Sequence, residues 1–264
     1  MSTGTRMRPA AVAALALTTV VGLAAYTWPF FATHPATGGH QGQDAPWLFA
    51  GLLGLMALVL LAELAAAGLD AKTVAVLGVL AAAGGALRVL SAGTAGLEPI
   101  FVVLVLGGRV LGRSMGFLLG ALAMLVGAFL TAGVGPWLPF QMIGAGWVGL
   151  GAALLPRASG RVELALLAAY GALASFAYGA LLNLWFWPFL APESAPTGAG
   201  FVPGDSAAAN VGHYGVFYVA TSLGWDLPRA VLTAALVLVA GRPVLATLRR
   251  AVRRAAFDAA PTFR

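Results

Sequence analysis

Eight long apolar runs, separated by short polar turns, dominate the chain. They span residues 10–32, 47–68, 73–92, 99–111, 114–132, 138–155, 162–190 and 211–247. A helix needs about 20 apolar residues to cross a bilayer, so most runs are long enough. The run at 99–111 is short and predicts a tilted or half-buried helix, whereas the last two are long enough to tilt or kink. Because lipid offers no hydrogen bonds to the backbone, the pattern predicts an all-α membrane protein.

The short break at residues 68–72 divides these runs into two groups. Residues 1–70 are predicted to form an N-terminal two-helix membrane hairpin. Residues 73–254 are predicted to form a six-helix core that ends in a basic tail. The loop at 191–210 is rich in Pro, Gly, Ala and Ser, so we expect a mobile segment that could act as a lid.

Composition supports a membrane protein and excludes several other classes. The 264 residues are 60% hydrophobic and 9% charged, whereas a soluble domain carries about a quarter charged residues. There are no cysteines, which excludes disulfides and thiolate metal sites. The net charge of +6 comes from residues in turns and termini, so we expect no nucleic-acid binding.

The distribution of basic residues predicts the orientation in the membrane. Of the fifteen Lys and Arg residues, Arg88 and Arg229 lie deep inside apolar runs, and the other thirteen fall on one predicted side, in turns, in termini or towards the ends of runs. The loops on the opposite side, 33–46, 93–98, 133–137 and 191–210, carry none. By the positive-inside rule both termini are cytoplasmic, in a multi-pass protein of the cell membrane. Trp28, Trp137 and Trp187 fall at the predicted outer interface, as Trp residues prefer.

Two short motifs resemble those of enzymes, but their context argues against catalysis. Residues 112–116 match G-x-S-x-G and residues 144–149 match G-x-G-x-x-G, yet neither follows a strand. The sole lysine, Lys72, follows Ala71 and not Gly, so no P-loop lysine is present. We therefore expect no catalytic residues and no cofactor, and any ATP hydrolysis must come from another subunit. The three scattered histidines also predict no metal site.

Charged residues inside apolar runs need a reason, because each costs about 2.5–3.5 kcal/mol at the centre of a span. Asp226 and Arg229 share one helix face at i and i+3 and can pair. Such a pair could simply stabilise a Pro-kinked helix, or it could take part in ligand binding or gating. Arg88 and Glu98 flank a short outer loop, and they either pair with each other or face an outer cavity.

Aromatic and amide side chains gather in the predicted outer third of the bilayer. A cavity built from such rings and donors suits a planar organic ligand. For the Trp residues the alternative is an interfacial aromatic belt, but Gln and Asn are not belt residues. The predicted substrate-binding residues are Glu98, Trp137, Gln141, Asn183, Trp185, Trp187, His213, Tyr214, Asp226 and Arg229.

Small residues recur every four positions on two helices. One set is Gly78, Ala82 and Ala86, and the other is Gly112, Gly116 and Gly120. Small faces of this kind let two helix backbones approach closely. The second backbone belongs either to this chain or to a partner membrane protein.

Three motifs, taken in order, resemble a known family. They are the turn at 108–116 (G-x-V-x-G-x-x-x-G), the turn at 135–141 (GPW-x-P-x-Q) and the segment at 226–230 (D-x-P-R-A), which precedes a basic end at 249–250. Over roughly residues 73–254 the chain resembles the substrate-specific S components of energy-coupling factor (ECF) transporters. The two N-terminal helices are additional to the six-helix core of that family.

The resemblance implies a function and a set of partners. An S component binds a vitamin or related micronutrient outside the cell, and it associates with a transmembrane coupling (T) protein and two cytoplasmic ATPase subunits. Gly78, Ala82 and Ala86 fit the positions that contact the coupling protein. The GPW-x-P-x-Q turn is most similar to the cobalamin-type members.

The alternative is a stand-alone secondary transporter or channel for a small metabolite, with Asp226 as its ion-coupling carboxylate.

Overall fold

All of the regular secondary structure in the described part of the chain is helical. A computed structural model describes residues 9–31, 71–91, 94–190 and 194–257, together with the helical positions 50, 51, 54, 57, 58 and 61. The helices are α1 (Pro9–Thr27), α2 (Ala71–Ser91), α3 (Ile100–Leu111), α4 (Arg113–Leu130), α5 (Leu138–Leu154), α6 (Gly160–Phe186), α7 (Ala207–Thr221) and α8 (Leu223–Phe257). Short 3-10 turns at Trp28–Phe31 and Trp187–Phe189 extend α1 and α6. Most of the predicted run at 47–68 and the loop at 33–46 lie outside the described residues.

Five helices are long and apolar enough to cross a membrane, as expected of a multi-pass membrane protein. They cover Ala11–Phe31, Val74–Ser91, Arg113–Leu130, Gly160–Phe189 and Leu223–Arg253. Large apolar side chains on them are exposed, for example Val79 (69%), Leu173 (70%) and Val239 (81%), which is the surface that lipid would cover. The prediction of an all-helical chain is confirmed for the described residues, and these five helices are consistent with the predicted multi-pass membrane protein.

The short helix α3, where the sequence predicts a tilted or half-buried helix, lies in the centre of the bundle. It has 12 residues, and Ile100, Phe101 and Leu104 on it are fully buried. α3 packs against α4, α5 and α8. A helix enclosed by protein in this way does not need the length of a lipid-exposed span.

The tightest helix contact, between α4 and α5, depends on glycines. A Cβ at Gly116 would lie 2.7 Å from the carbonyl oxygen of Gly149, and a Cβ at Gly120 would collide with the carbonyl of Ala145. Gly116 and Gly120 therefore pack inside this chain. Gly112 has φ +90 and closes the turn between α3 and α4, a conformation that glycine adopts readily.

The other small-residue face has no partner among the described residues. Gly78, Ala82 and Ala86 are all exposed on α2. A Cβ at Gly78 would meet no described atom within 4 Å. This face is therefore available to whatever packs against α2 beyond the described part of the chain.

The predicted single segment at 211–247 is in fact two helices. Ser206 caps α7, since its hydroxyl accepts a hydrogen bond from the backbone N–H of Ala209 (3.2 Å), and α7 ends at Thr221. At the break, the Thr221 hydroxyl donates to the carbonyl of Phe217 (2.7 Å) and the Ser222 hydroxyl accepts from Asn183. Side-chain hydrogen bonds of this kind compete with helix continuation. The described part thus contains seven helices after residue 70, not six.

The bundle has two chemically distinct ends. At the aromatic end, Trp137 and Trp185 lie 6.4 Å apart between ring centroids, and Trp28 lies 5.7 Å from Phe189. At the arginine-rich end, the buried Glu163 pairs with Arg109 (2.9 Å) and Arg249 (2.6 Å), which joins α3, α6 and α8. The separation of aromatic and basic ends agrees with the pattern in the sequence.

Helix α1 packs onto the core at the aromatic end. Tyr26 is fully buried, and its hydroxyl donates to the carbonyl of Phe140 (2.7 Å). Nearer the middle of α1, Trp147 donates through Nε1 to the Thr19 hydroxyl (3.3 Å). α1 therefore extends the core along α5, which is a role that the sequence left open.

Candidate functional site

A cavity of about 630 Å³ opens at the aromatic end, among α2, α4, α5, α6 and α8. Its volume falls within the range of about 300–1,000 Å³ that is typical of small-molecule sites. Seven of the ten predicted substrate-binding residues line it: Glu98, Trp137, Gln141, Asn183, Trp185, Asp226 and Arg229. The structure therefore brings together residues from four separate parts of the sequence.

Arg229 forms the centre of an ion cluster in the cavity wall. Its guanidinium donates to Asp226 Oδ1 (2.5 Å) and to Glu98 Oε1 (2.9 Å). The rings of Phe101 and Tyr178 lie 5.3 and 5.4 Å from the guanidinium carbon, within the range of a cation–π contact. The predicted Asp226–Arg229 pair is confirmed, and the same pair lines the cavity. With two carboxylates for one guanidinium, the cluster carries a formal charge of −1.

Asp226 is fully engaged within this cluster. Its Oδ1 accepts from Arg229, and its Oδ2 accepts from the Tyr218 hydroxyl (2.8 Å). Asp226 is 2% exposed. A Cβ on Gly179 would collide with the Asp226 carboxylate, so the glycine on α6 makes room for it.

Arg88 lies on another wall of the cavity and does not pair with Glu98. Its Nη2 donates to Gln141 Oε1 (2.8 Å), and its Nη1 lies 2.9 Å from the Met124 sulfur. Among the described residues no carboxylate forms a salt bridge with Arg88. Of the two arrangements that the sequence allowed for Arg88, the structure shows the one that faces the cavity.

Trp rings form the rim of the cavity. Trp185 donates through Nε1 to the carbonyl of Pro136 (3.1 Å), and Trp137 donates to the carbonyl of Gly133 (3.1 Å). The first bond joins the end of α6 to the turn before α5, and the second lies within that turn. Trp137 is 40% exposed and Trp225 is 53% exposed, so flat apolar faces remain available to a ligand.

The two amides predicted from sequence both lie in the cavity wall. Gln141 accepts a hydrogen bond from Arg88, and Asn183 donates to the hydroxyl of Ser222. Thr221 and Ser222 add hydroxyl groups beside Asn183. The wall therefore offers donors and acceptors as well as rings.

The other three predicted residues lie outside the cavity. Trp187 is fully buried, donates through Nε1 to the carbonyl of Ala199 (2.7 Å) and packs 5.1 Å from the ring of Tyr214. The Tyr214 hydroxyl donates to the carbonyl of Ala180. These contacts fasten α7 and the loop before it onto α6. The buried Nδ1 of His213 has no hydrogen-bond partner among the described residues.

The loop that precedes α7 is held in place over much of its described length. Besides the Trp187 bond to Ala199, the Asn210 side chain accepts from the backbone N–H of Val202 (3.1 Å) and donates to its carbonyl (2.9 Å). Between residues 199 and 210, therefore, these bonds fix parts of the segment that the composition of 191–210 led us to expect to be mobile.

Several residues of the cavity are missing from the sequence-based set. The sequence identified Arg88 as unusual, because a charge inside an apolar run is costly, but it did not show where the side chain points. Trp225 directly precedes Asp226, and this adjacency could have identified it. Tyr178 lies in the middle of an apolar helix, and nothing in the sequence distinguishes it from a core residue.

The described residues contain no group of three or more His, Asp or Glu side chains that could hold a metal ion. No protein-family model matches this chain, and comparisons with curated proteins and with solved structures give no match. The described residues define a class: a helical bundle in which five helices are long and apolar enough to cross a membrane, with a cavity of small-molecule size at its aromatic end.

Proposed function

We propose that this chain is the substrate-binding membrane subunit, the S component, of an ATP-driven ECF-type micronutrient importer. The observation that carries the proposal is the cavity at the aromatic end, opposite the arginine-rich turns. Under the positive-inside rule this end faces outward, so the cavity would receive its ligand from outside the cell.

The lining of the cavity supports a planar organic ligand. Rings of Trp137, Trp185 and Trp225 provide stacking surfaces, and Gln141 and Asn183 provide fixed amide groups. A volume of about 630 Å³ suits a vitamin with one or two rings. Cobalamin, with a corrin macrocycle and a nucleotide arm, would extend out of this volume. A smaller vitamin therefore fits the proposal better than cobalamin does.

The exposed face of α2 supports a membrane partner. Gly78, Ala82 and Ala86 form a smooth surface on which another helix can approach closely. We assign this face to the coupling protein of the importer, which in turn recruits the two ATPases. The buried glycines of α4 serve packing within the chain and are not part of this assignment.

Secondary transport is the alternative, and the state of Asp226 argues against it. A coupling carboxylate has to gain and lose a proton or a cation during transport. Asp226 already accepts from both Arg229 and Tyr218. Binding an ion there would require breaking a buried ion pair, which is costly.

Purification from native membranes in mild detergent tests the proposal. A tagged chain should retain a second membrane protein and two ATPases with P-loop motifs, identified by mass spectrometry. Gly78→Leu should lose them, while Gly215→Leu, on an exposed position of α7, should keep them. Both variants should remain folded by size-exclusion chromatography.

Reconstitution separates the two functions. Proteoliposomes that contain the whole complex should accumulate the bound vitamin in an ATP-dependent manner. If the chain alone accumulates it without ATPases and in response to an ion gradient, the chain is a secondary transporter and the importer proposal fails.

A further inference from the structure

The charges that line the cavity are separated into two unequal groups. Arg229 lies between Glu98 and Asp226, and these three residues together carry a formal charge of −1. Arg88 carries +1, and its described partners are the neutral groups of Gln141 and Met124. A guanidinium in a low-dielectric region is stable when it is paired with an anion. Among the described residues, no negative group balances the charge on this wall.

Arg88 is also fixed in position. Its Cδ would lie 2.6 Å from a Cβ at residue 127, so its stem crosses α4 at a point where only glycine fits. Beyond this point Gln141 holds Nη2, and Met124 holds Nη1 through its sulfur (2.9 Å) and its carbonyl (3.5 Å). None of these hydrogen bonds uses Nε. A guanidinium held along one edge presents its remaining N–H groups as a preformed fork, which matches a carboxylate.

We propose that Arg88 is the anion-binding residue of the cavity and that the substrate is a planar organic monocarboxylate. This inference rests on the proposed function, and it adds the chemical class of the ligand. The carboxylate pairs with Arg88, and the ring lies against the Trp side chains of the rim.

The opposite wall restricts the ligand further. Glu98 Oε1 is bonded to Arg229, whereas Oε2 makes no hydrogen bond among the described residues, and the side chain is 27% exposed. A second anionic group on the ligand would meet the negative cluster there and be repelled. A hydroxyl, amine or ring N–H would instead donate to Glu98. The site thus selects a monoanion whose far end carries a hydrogen-bond donor.

The test offers the purified chain a defined mixture of water-soluble vitamins and identifies what it retains by mass spectrometry. The mixture contains carboxylates, neutral compounds and cations at equal concentration. We expect a ring-containing carboxylate to be retained. Arg88→Gln should weaken its binding about 10- to 150-fold, as expected for loss of a hydrogen bond to a charged group. Arg88→Lys, which keeps the charge but not the fork, should fall between Arg88→Gln and the unmodified chain.

Controls and outcomes separate this inference from the proposed function. Arg113→Gln, an exposed arginine at the far end of α4, should bind like the unmodified chain. On the unmodified chain, the neutral amide of the retained compound should bind at least tenfold more weakly than its carboxylate. This comparison can be made even if the Arg88 variants do not fold. Retention of a neutral or cationic vitamin overturns the inference and leaves the importer proposal standing, as does equal binding to Arg88→Gln. Retention of nothing overturns both.

Discussion

Glu98 and Arg229 are 131 positions apart in the chain and form an ion pair of 2.9 Å in the cavity wall. The pair joins the start of α3 to α8, and Asp226 shares the same guanidinium. The cluster therefore has a structural role, because it fixes two helices, and a role in the site, because it sets the charge of one wall. The contribution of Arg229 can be distinguished from that of the two carboxylates by substituting each residue in turn.

Arg229→Leu should destabilise the chain strongly. It would leave Asp226 and Glu98 without their cation, and breaking a buried ion pair in this way costs about 3–5 kcal/mol. Thermal unfolding in detergent should show a large drop in the midpoint temperature. Arg229→Leu combined with Asp226→Asn should recover part of the loss, since the most buried charge is then removed as well.

The carboxylates provide the matched comparison. Glu98→Gln should have a smaller effect, because Arg229 keeps Asp226 and the Glu98 side chain is 27% exposed. If Glu98→Gln and Arg229→Leu lower the midpoint temperature of unfolding equally, then Arg229 does not serve both carboxylates in the way that the geometry indicates.

The helices were largely predictable from the sequence because lipid imposes a simple rule. Backbone groups must bond within a segment, so the long apolar runs at 10–32, 73–92, 114–132, 138–155 and 162–190 correspond to helices whose ends differ by a few residues at most. The division at Ser222 was not predictable. Ser222 there accepts a hydrogen bond from Asn183 on another helix, and no local pattern in the sequence records that contact.

The site was predictable in part, for a related reason. Polar groups inside apolar runs are costly, so Gln141, Asn183, Asp226 and Arg229 were recognisable as residues with a purpose. The sequence did not show which of Trp185 and Trp187 lies in the site. Two residues two positions apart on a helix point in different directions, but the sequence does not say which direction faces the cavity. The fold alone determines that Trp185 faces the cavity and that Trp187 faces the loop before α7.

These two tryptophans should respond differently to truncation. Trp187→Ala removes a fully buried ring and should cost about 3–5 kcal/mol of stability. Trp185→Ala removes a ring at the rim and should leave the fold intact, while it weakens binding of the retained vitamin about tenfold through lost stacking. Thermal unfolding and equilibrium binding on both variants give the comparison. A stable Trp187→Ala variant with weakened binding would place Trp187 in the site after all.

The contact between α4 and α5 should tolerate no added methyl group. Gly120→Ala would press a Cβ against the carbonyl of Ala145, and overpacking of this kind costs about 1–3 kcal/mol. Gly215→Ala is the control, because a Cβ there meets no described atom within 4 Å. On helix propensity alone the control should gain about 1 kcal/mol. If Gly120→Ala leaves the midpoint temperature of unfolding unchanged, then α4 and α5 lie further apart than described.

The absence of cysteine from the sequence makes the orientation of the bundle directly measurable. Single cysteines can be placed at two exposed positions, Ser159 in the turn between α5 and α6 and Thr197 in the loop before α7. Under the proposed orientation a membrane-impermeant maleimide applied to intact cells should label Thr197→Cys. Ser159→Cys should react after the cells are permeabilised, and the unmodified chain should not react at all. The reverse pattern would place the arginines outside and open the cavity to the cytoplasm, where it could not collect a ligand for import, and the importer proposal would fall regardless of which vitamin the cavity binds.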